Sequence, residues 1–313
     1  MYMAVLLTVV VPAFNEASNL LDRLNDLRTY LDGRFSGAYE IIVVNDGSTD
    51  ATDEVLKTAL WSIDRLYVER HERNLGLNAA VRSGICAASG SRIVVMDADL
   101  TYAPATIGAL CDALDNGAEI AVASAYMSGG AYRQVPRARL FISRWANHFL
   151  SLAVRGRIST LTCMVRAYDA RIARELVASK AFDECTYGVL LNAYRGGARI
   201  VEVPAVLDWS AQPRSRAGRL RPRALLSRSG RVLAAGVQTR PVLLLGLPGL
   251  IPGIAPAVGL VAAALHASPS EIARTLVITF GIQCLSLAVL SFHIGTFLRR
   301  KHVRPIHVTT DAT

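Results

Sequence analysis

The chain has 313 residues, 34 Lys+Arg, 25 Asp+Glu and a formal net charge of +9. Its 52% hydrophobic content and mean hydropathy of +0.32 exclude a disordered chain and direct attention to membrane segments. Residues 1–208 carry 21 basic and 23 acidic side chains, whereas 209–313 carry 13 basic ones against only Glu271 and Asp311, so the pI of 9.6 does not point to nucleic acid.

Residues 1–125 alternate short apolar runs with helical periods. Ala4–Val11 reads as a buried strand and, lacking a basic segment before it, not as a signal peptide. Ser18–Leu31 reads as a helix with Leu20, Leu24, Leu27 and Leu31 on one face. Glu40–Val44 is a strand that runs into the turn Asn45-Asp46-Gly47-Ser48. Helix Thr52–Trp61, strand Leu66–Glu69 and helix Leu77–Ser89 follow. Arg92–Met96 is an apolar strand ended by Asp97; Pro104–Leu114 is a helix and Glu119–Ser124 a last strand. Fully apolar strands between helices predict an α/β fold, a mostly parallel sheet with helices on both faces. Ligands of such sheets sit outside the carboxyl ends of the strands, where Asn15-Glu16, Asn45-Asp46 and Asp97-Ala98-Asp99 fall.

Residues 126–208 are less regular. Arg137–Val154 has Leu140, Phe141, Trp145, Phe149, Leu152 and Ala153 at helical spacing, with Arg139, Arg144, Asn147 and His148 between them. This reads as a helix on the surface or in a membrane interface. Pro222–Val237 reads as a second one. Residues 209–240 form a basic juxtamembrane segment. Val242–Leu265 and Thr275–Leu298 are uncharged apolar runs, each long enough to cross roughly 30 Å of hydrocarbon. Arginines from Arg214 to Arg240 precede the first run, and Arg299, Arg300, Lys301 and Arg304 follow the second. The link holds only Arg274, offset by Glu271. Positive charge on both outer flanks predicts a transmembrane hairpin over 241–300, with domain 1–208 and tail 301–313 in the cytoplasm of a multi-pass membrane protein. Cys86, Cys111, Cys163, Cys185 and Cys284 are scattered and predict neither disulfide nor zinc site.

Asp97 and Asp99 offer two hard oxygen ligands two residues apart after a strand. On extended backbone both carboxylates face one cation, which suits Mg²⁺ or Mn²⁺ completed by substrate phosphates. A solvated turn is the plainer reading. Asp46-Gly47 read alone is a turn, with Asp50 capping the next helix. The six histidines form no metal-spaced pair, and neither a catalytic triad nor a glycine-rich phosphate loop is readable.

Four ordered segments resemble family 2 glycosyltransferases with the GT-A fold. They are Val10-Val11-Pro12-Ala13-Phe14-Asn15-Glu16, Val43-Val44-Asn45-Asp46-Gly47-Ser48-Thr49-Asp50, the stretch Asn74 to Ile85, and Asp97-Ala98-Asp99-Leu100. Ser128-Gly129-Gly130, Arg139 to Asn147, Thr162-Cys163-Met164-Val165-Arg166-Ala167-Tyr168 and Val201-Glu202-Val203-Pro204 are similar to the polyprenyl-phosphate glycosyltransferases of the dolichol-phosphate mannose synthase type. The resemblance covers roughly residues 4–300. It implies a Rossmann-like GT-A domain, an NDP-sugar donor (GDP- or UDP-sugar), a polyprenyl phosphate acceptor, membrane lipids around a transmembrane hairpin, and inversion at the anomeric carbon. It places Pro12, Phe14, Glu16, Asp46 and Asp97 on the nucleotide sugar, and Asp97 and Asp99 on the metal. Arg139, Arg144, Arg166, Ser215 and Arg216 fall at the acceptor phosphate, with Arg166 also among the catalytic residues.

The residues themselves leave Arg139 and Arg144 open between phosphate binding and facing solvent or headgroups. Trp145 and Trp209 read equally as interfacial anchors or core. Departures from the family pattern are Asn45 for Asp, Thr101 for Gln, Ala125 for Arg, Thr160 for Asp, Met164-Val165 for Gly-Phe and Gly188 for Glu, with Glu184 one turn earlier. They fall mainly in the sugar and acceptor half. Two rival readings stay open. One is the same fold with a saccharide or other lipid acceptor, for which Asp183 or Glu184 would be the base. The other is a membrane scaffold that kept the fold without catalysis. Sugar, base, chain length of the lipid and the existence of a homo-oligomer are not legible.

Overall fold

The computed structural model describes residues 5–210, apart from 152, 153, 155, 180, 181 and 183–185. The expected hairpin, the basic segment, Ser215, Arg216, Asp183 and Glu184 lie outside these residues. Among the described residues no helix is long and apolar enough to cross a membrane.

A seven-stranded sheet forms the frame, in the order β3-β2-β1-β4-β7-β5-β8. Its strands are β1 (Leu7–Ala13), β2 (Tyr39–Asn45), β3 (Leu66–Arg70), β4 (Arg92–Val95), β5 (Ile120–Ser124), β7 (Arg166–Asp169) and β8 (Ile200–Pro204). The short β6 (Ala131–Arg133) pairs in parallel with β9 (Val206–Asp208) beside it. β1, β2, β3 and β4 run parallel, as the apolar runs predict. β7 is inserted antiparallel between β4 and β5, so the sheet is mixed. The sequence reading has no strand here. Arg-Ala-Tyr-Asp carries no apolar run, and only its two neighbours make it a buried strand.

Every residue of β2 and nearly all of β1 are buried. A strand buried on both faces needs cover on both. Helices α3 (Leu77–Ala87) and α6 (Ala170–Ala178) pack together on the sheet. Helices α1 (Leu20–Phe35) and α4 (Ala105–Asp115) form a second pair. They are joined by the Arg34–Asp112 ion pair at 2.9 Å and by the Tyr30 hydroxyl donating to the Ala105 carbonyl. In α1 the buried set is Leu20, Leu24, Leu27, Leu31 and Phe35, the predicted face continued by one turn. The helix stops at Ser36 and Gly37, both left-handed. Helix α2 is Thr52–Ser62 and α7 is Thr186–Arg195.

Helix α5 spans Arg137–Ser151. Its apolar residues do not share one side. Asn147 and Leu150 are buried, whereas Phe141 is 72% and Trp145 46% exposed. Arg137, Arg144 and His148 share that outward face. Two aromatic rings framed by cations thus face outward on α5.

Candidate active site

Because β1, β2 and β4 are parallel and in register, their carboxyl ends open on one edge of the sheet. The loops that leave them are tied together. The Asn15 amide donates to Ser48 Oγ at 3.1 Å, and Asn15 Oδ1 accepts from the Thr49 amide at 2.8 Å. The Glu16 amide donates to Thr52 Oγ1 at 3.0 Å. Asn15 itself is left-handed, a conformation that asparagine tolerates. Pro12, Phe14, Glu16 and Asp46 thus come together as the motifs imply. Phe14 is 41% exposed, while Asp46 is buried.

Asp97 and Asp99 follow β4 on the same edge. They do not sit on extended backbone as the spacing argument assumes. The Leu100 amide donates to the Asp97 carbonyl, Leu100 is left-handed, and the Thr101 amide donates to Asp99 Oδ1 at 3.2 Å. The tight turn still brings the carboxylates within reach of one another. Burial, then the Asp99 charge and the more distant Glu16 charge, push the Asp97 carboxyl up to about 7, against a hydrogen bond from Thr101. Excess negative charge in a half-buried turn is what a divalent cation relieves. Among the described residues no three His, Cys, Asp or Glu side chains gather to enclose an ion. Two carboxylates with the remaining positions left to phosphate oxygens suit Mg²⁺ or Mn²⁺.

Several departures from the family pattern have local explanations. Asn45 Oδ1 accepts from the Ser48 amide at 3.1 Å, as a carboxylate would, and its Nδ2 faces Asp53 Oδ1 at 3.5 Å, a contact Asp cannot make. Thr101, in place of Gln, donates to Asp97 from beside it. Thr160, in place of Asp, sets its Oγ1 2.6 Å from the buried Ser124 Oγ. Nothing in the structure explains Gly188.

The arginines are spread out. Arg166 is 1% exposed and donates to the Leu161 carbonyl at 2.8 Å. Burial pushes the Cys163 thiol up to about 11, with the Asp97 charge acting in the same direction and Arg166 against it. Arg139 stacks over the Trp209 ring at 4.4 Å. Arg144 is on the exposed face of α5, near the Tyr126 phenol. Arg166 is thus buried at the start of β7, while Arg139 and Arg144 lie on α5.

Groups that the sequence reading passes over hold this half together. Glu202 accepts from the Ser159 amide, the Ser159 hydroxyl and the Thr160 amide, each at 2.8–2.9 Å. Asn147 of α5 donates to Thr162 Oγ1 at 2.8 Å and accepts from the Thr162 amide at 3.0 Å. The 159–162 loop therefore links α5, β8 and the start of β7. His71 and Ser83, also passed over, join Asp46. Asn147, Thr162, Glu202 and Ser83 stood in quoted motifs; Ser159 and His71 did not.

A family model described as glycosyl transferase family 2 matches residues 8–177, more than half of the chain. The chain belongs to that family. Its relatives include a dolichol-phosphate mannosyltransferase of Pyrococcus furiosus, 32% identical over 67% of this chain and 58% of the relative. Another is a polyprenol monophosphomannose synthase of Mycolicibacterium smegmatis, 33% identical over 63% of this chain and 75% of the relative. The chain thus spans less than two thirds of the length of the archaeal one. Among solved structures, the glucosyl-3-phosphoglycerate synthase of Mycobacterium tuberculosis, in complex with Mn²⁺, UDP and glucosyl-3-phosphoglycerate, shares the fold. Its TM-score is 0.55 and its identity 20%, over 75% of this chain and 79% of that one. The mixed sheet of this family 2 chain is therefore GT-A-like.

Proposed function

We propose that the protein is a membrane-bound, inverting glycosyltransferase that moves a sugar from an NDP-sugar to a polyprenyl phosphate. The observation that carries this reading is the crowded Asp97–Asp99 turn at the strand ends, whose carboxylates call for a cation and a diphosphate. The names of the two relatives supply the acceptor class.

In this reading Asp97 and Asp99 would hold Mg²⁺ or Mn²⁺, which offsets the charge that builds on the leaving diphosphate. Phe14 and Glu16 flank the nucleoside, on the loop braced by Ser48 and Thr52. An oxygen of the lipid phosphate attacks the anomeric carbon as the bond to the diphosphate breaks. A phosphate is largely ionised near neutral pH, so no general base is required. Arg166, with Arg139, Arg144, Ser215 and Arg216, orients the acceptor by charge-assisted bonds. Inversion turns an α-linked donor into a β-linked lipid product. The test is a panel of labelled GDP- and UDP-sugars with polyprenyl phosphate, with and without Mn²⁺ or Mg²⁺. Label reaching lipid only with metal supports the reading; absence of label from every donor refutes it.

In this reading α5 lies in the membrane interface, supported by its outward face of Phe141, Trp145, Arg137, Arg144 and His148. In full-length protein reconstituted with brominated lipids, quenching of tryptophan fluorescence should fall sharply in Trp145→Phe. Trp61→Phe should keep it, since Trp61 lies on α2. Equal quenching in both variants would remove α5 from the interface.

A further inference from the structure

Three segments meet in a chain of hydrogen bonds that the proposed chemistry does not use. His71 Nδ1 lies 2.7 Å from Asp46 Oδ1, and His71 Nε2 lies 2.9 Å from Ser83 Oγ. Asp46 is 3% exposed. Its Oδ1 also accepts from the Leu75 amide at 2.9 Å, and Oδ2 from the Gly76 amide at 2.8 Å. The backbone repeats the link, because the His71 amide donates to the Asn45 carbonyl at 2.9 Å. A buried carboxylate so engaged is costly to leave partnerless.

The chain does structural work at the start of α3. Gly76 caps that helix and has no side chain to satisfy the first amides. Asp46, just past β2, accepts instead from the Leu75 and Gly76 amides that lead into the helix, with its negative charge near the helix's positive end. Gly47 is left-handed and lies directly under the Arg73–Asn74 backbone, where any side chain would overlap it. The loop 71–76 is thereby pressed onto the loop after β2, at the edge that carries Phe14 and Asp97.

The trio is not a hydrolytic triad. Ser83 sits inside α3, where the surrounding amides are spent on the helix and form no oxyanion hole.

We propose that His71 and Ser83 are positioning residues for the nucleotide part of the donor, acting through Asp46 to hold the Leu75–Gly76 backbone in place. Asp46 then shapes the nucleotide cradle from within, in addition to any contact it makes with the base. This rests on the nucleotide-sugar reading above and adds to it the residues that organise the donor loop.

The test uses the full-length protein and its His71→Ala, His71→Asn and Ser83→Ala variants. Binding of GDP and UDP in the presence of Mn²⁺ is measured by calorimetry, and steady-state transfer is measured with donor and acceptor varied in turn. His71→Ala should weaken nucleotide binding and raise the donor KM about tenfold, with kcat and acceptor KM within about twofold of the parent. His71→Asn, which keeps a donor towards Asp46, should recover most of the loss. Ser83→Ala, which leaves the Asp46 contact intact, should weaken donor binding about threefold. Unchanged nucleotide binding in folded variants would overturn the proposal, as would an equal rise in acceptor KM. If the parent itself binds neither nucleotide, the nucleotide-sugar reading fails first. Binding without transfer to any lipid phosphate would sink the acceptor assignment and leave the positioning role standing.

Discussion

Asp97→Asn should reduce sugar transfer by a factor on the order of 10²–10³ or more while making the metal-free protein harder to unfold at pH 8. The two effects share one cause. The Asp97 carboxyl is raised from 3.8 to about 7. In the absence of a cation, folded protein retains a proton that the unfolded chain releases between about pH 4 and 7. The stability present in acid is lost as pH rises through 7, by at most about 4 kcal/mol for a shift of roughly three units. Asparagine carries no such charge, so the variant should gain in melting temperature at pH 8 and match the parent near pH 4. Mn²⁺ should stabilise the parent far more than the variant. Its affinity for the parent should fall roughly tenfold per pH unit below 7, because the ligand must lose its proton first. Asp99→Asn should share the catalytic loss. Thermal melts with and without Mn²⁺ across that pH range separate a missing ligand from a damaged fold.

Gly84→Val should lower the melting temperature by about 10 °C, from a loss of about 3 kcal/mol. Gly84 lies on the face of α3 that meets β1, and even one added carbon would overlap Cγ1 of Val10. Val10 is fully buried and stiff, so the helix must move instead. That movement carries the Leu75–Gly76 amides away from Asp46, so donor affinity should fall with stability. Gly84→Ala together with Val10→Ala provides the check. Space freed at Val10 should make the double variant less damaged than the two single losses summed. Simple additivity would show that the contact does not set the position of the helix.

The parts legible in the sequence were those carried by local periodicity. Leu20, Leu24, Leu27 and Leu31 mark α1 because a helix returns them to one side every turn. The runs in β1 and β2 mark central strands because both faces are covered. The polar clusters after those strands mark the site because parallel strands share one carboxyl edge. The strand β7 was not legible, since Arg166 and Asp169 interrupt any apolar pattern and its partners are distant in sequence. Helix α6 is obscured although Ile172, Ala173, Leu176 and Val177 keep helical spacing, because its Asp169 cap is hidden inside that strand. In α5 the spacing is helical, but only tertiary contacts turn Phe141 and Trp145 outward and Asn147 inward. The Asp46–His71–Ser83 chain joins residues 25 and 12 positions apart on different elements, beyond the reach of any periodic signal.

The most direct measurement offers the reconstituted full-length protein one labelled NDP-sugar, Mn²⁺ and three acceptors in equal amount: polyprenyl phosphate, the matching polyprenol without phosphate, and a free saccharide. Label should accumulate on polyprenyl phosphate alone, as a single sugar joined through the phosphate with inverted configuration. Label on the polyprenol or the saccharide, with the lipid phosphate unlabelled, would contradict the assignment of a phosphate acceptor.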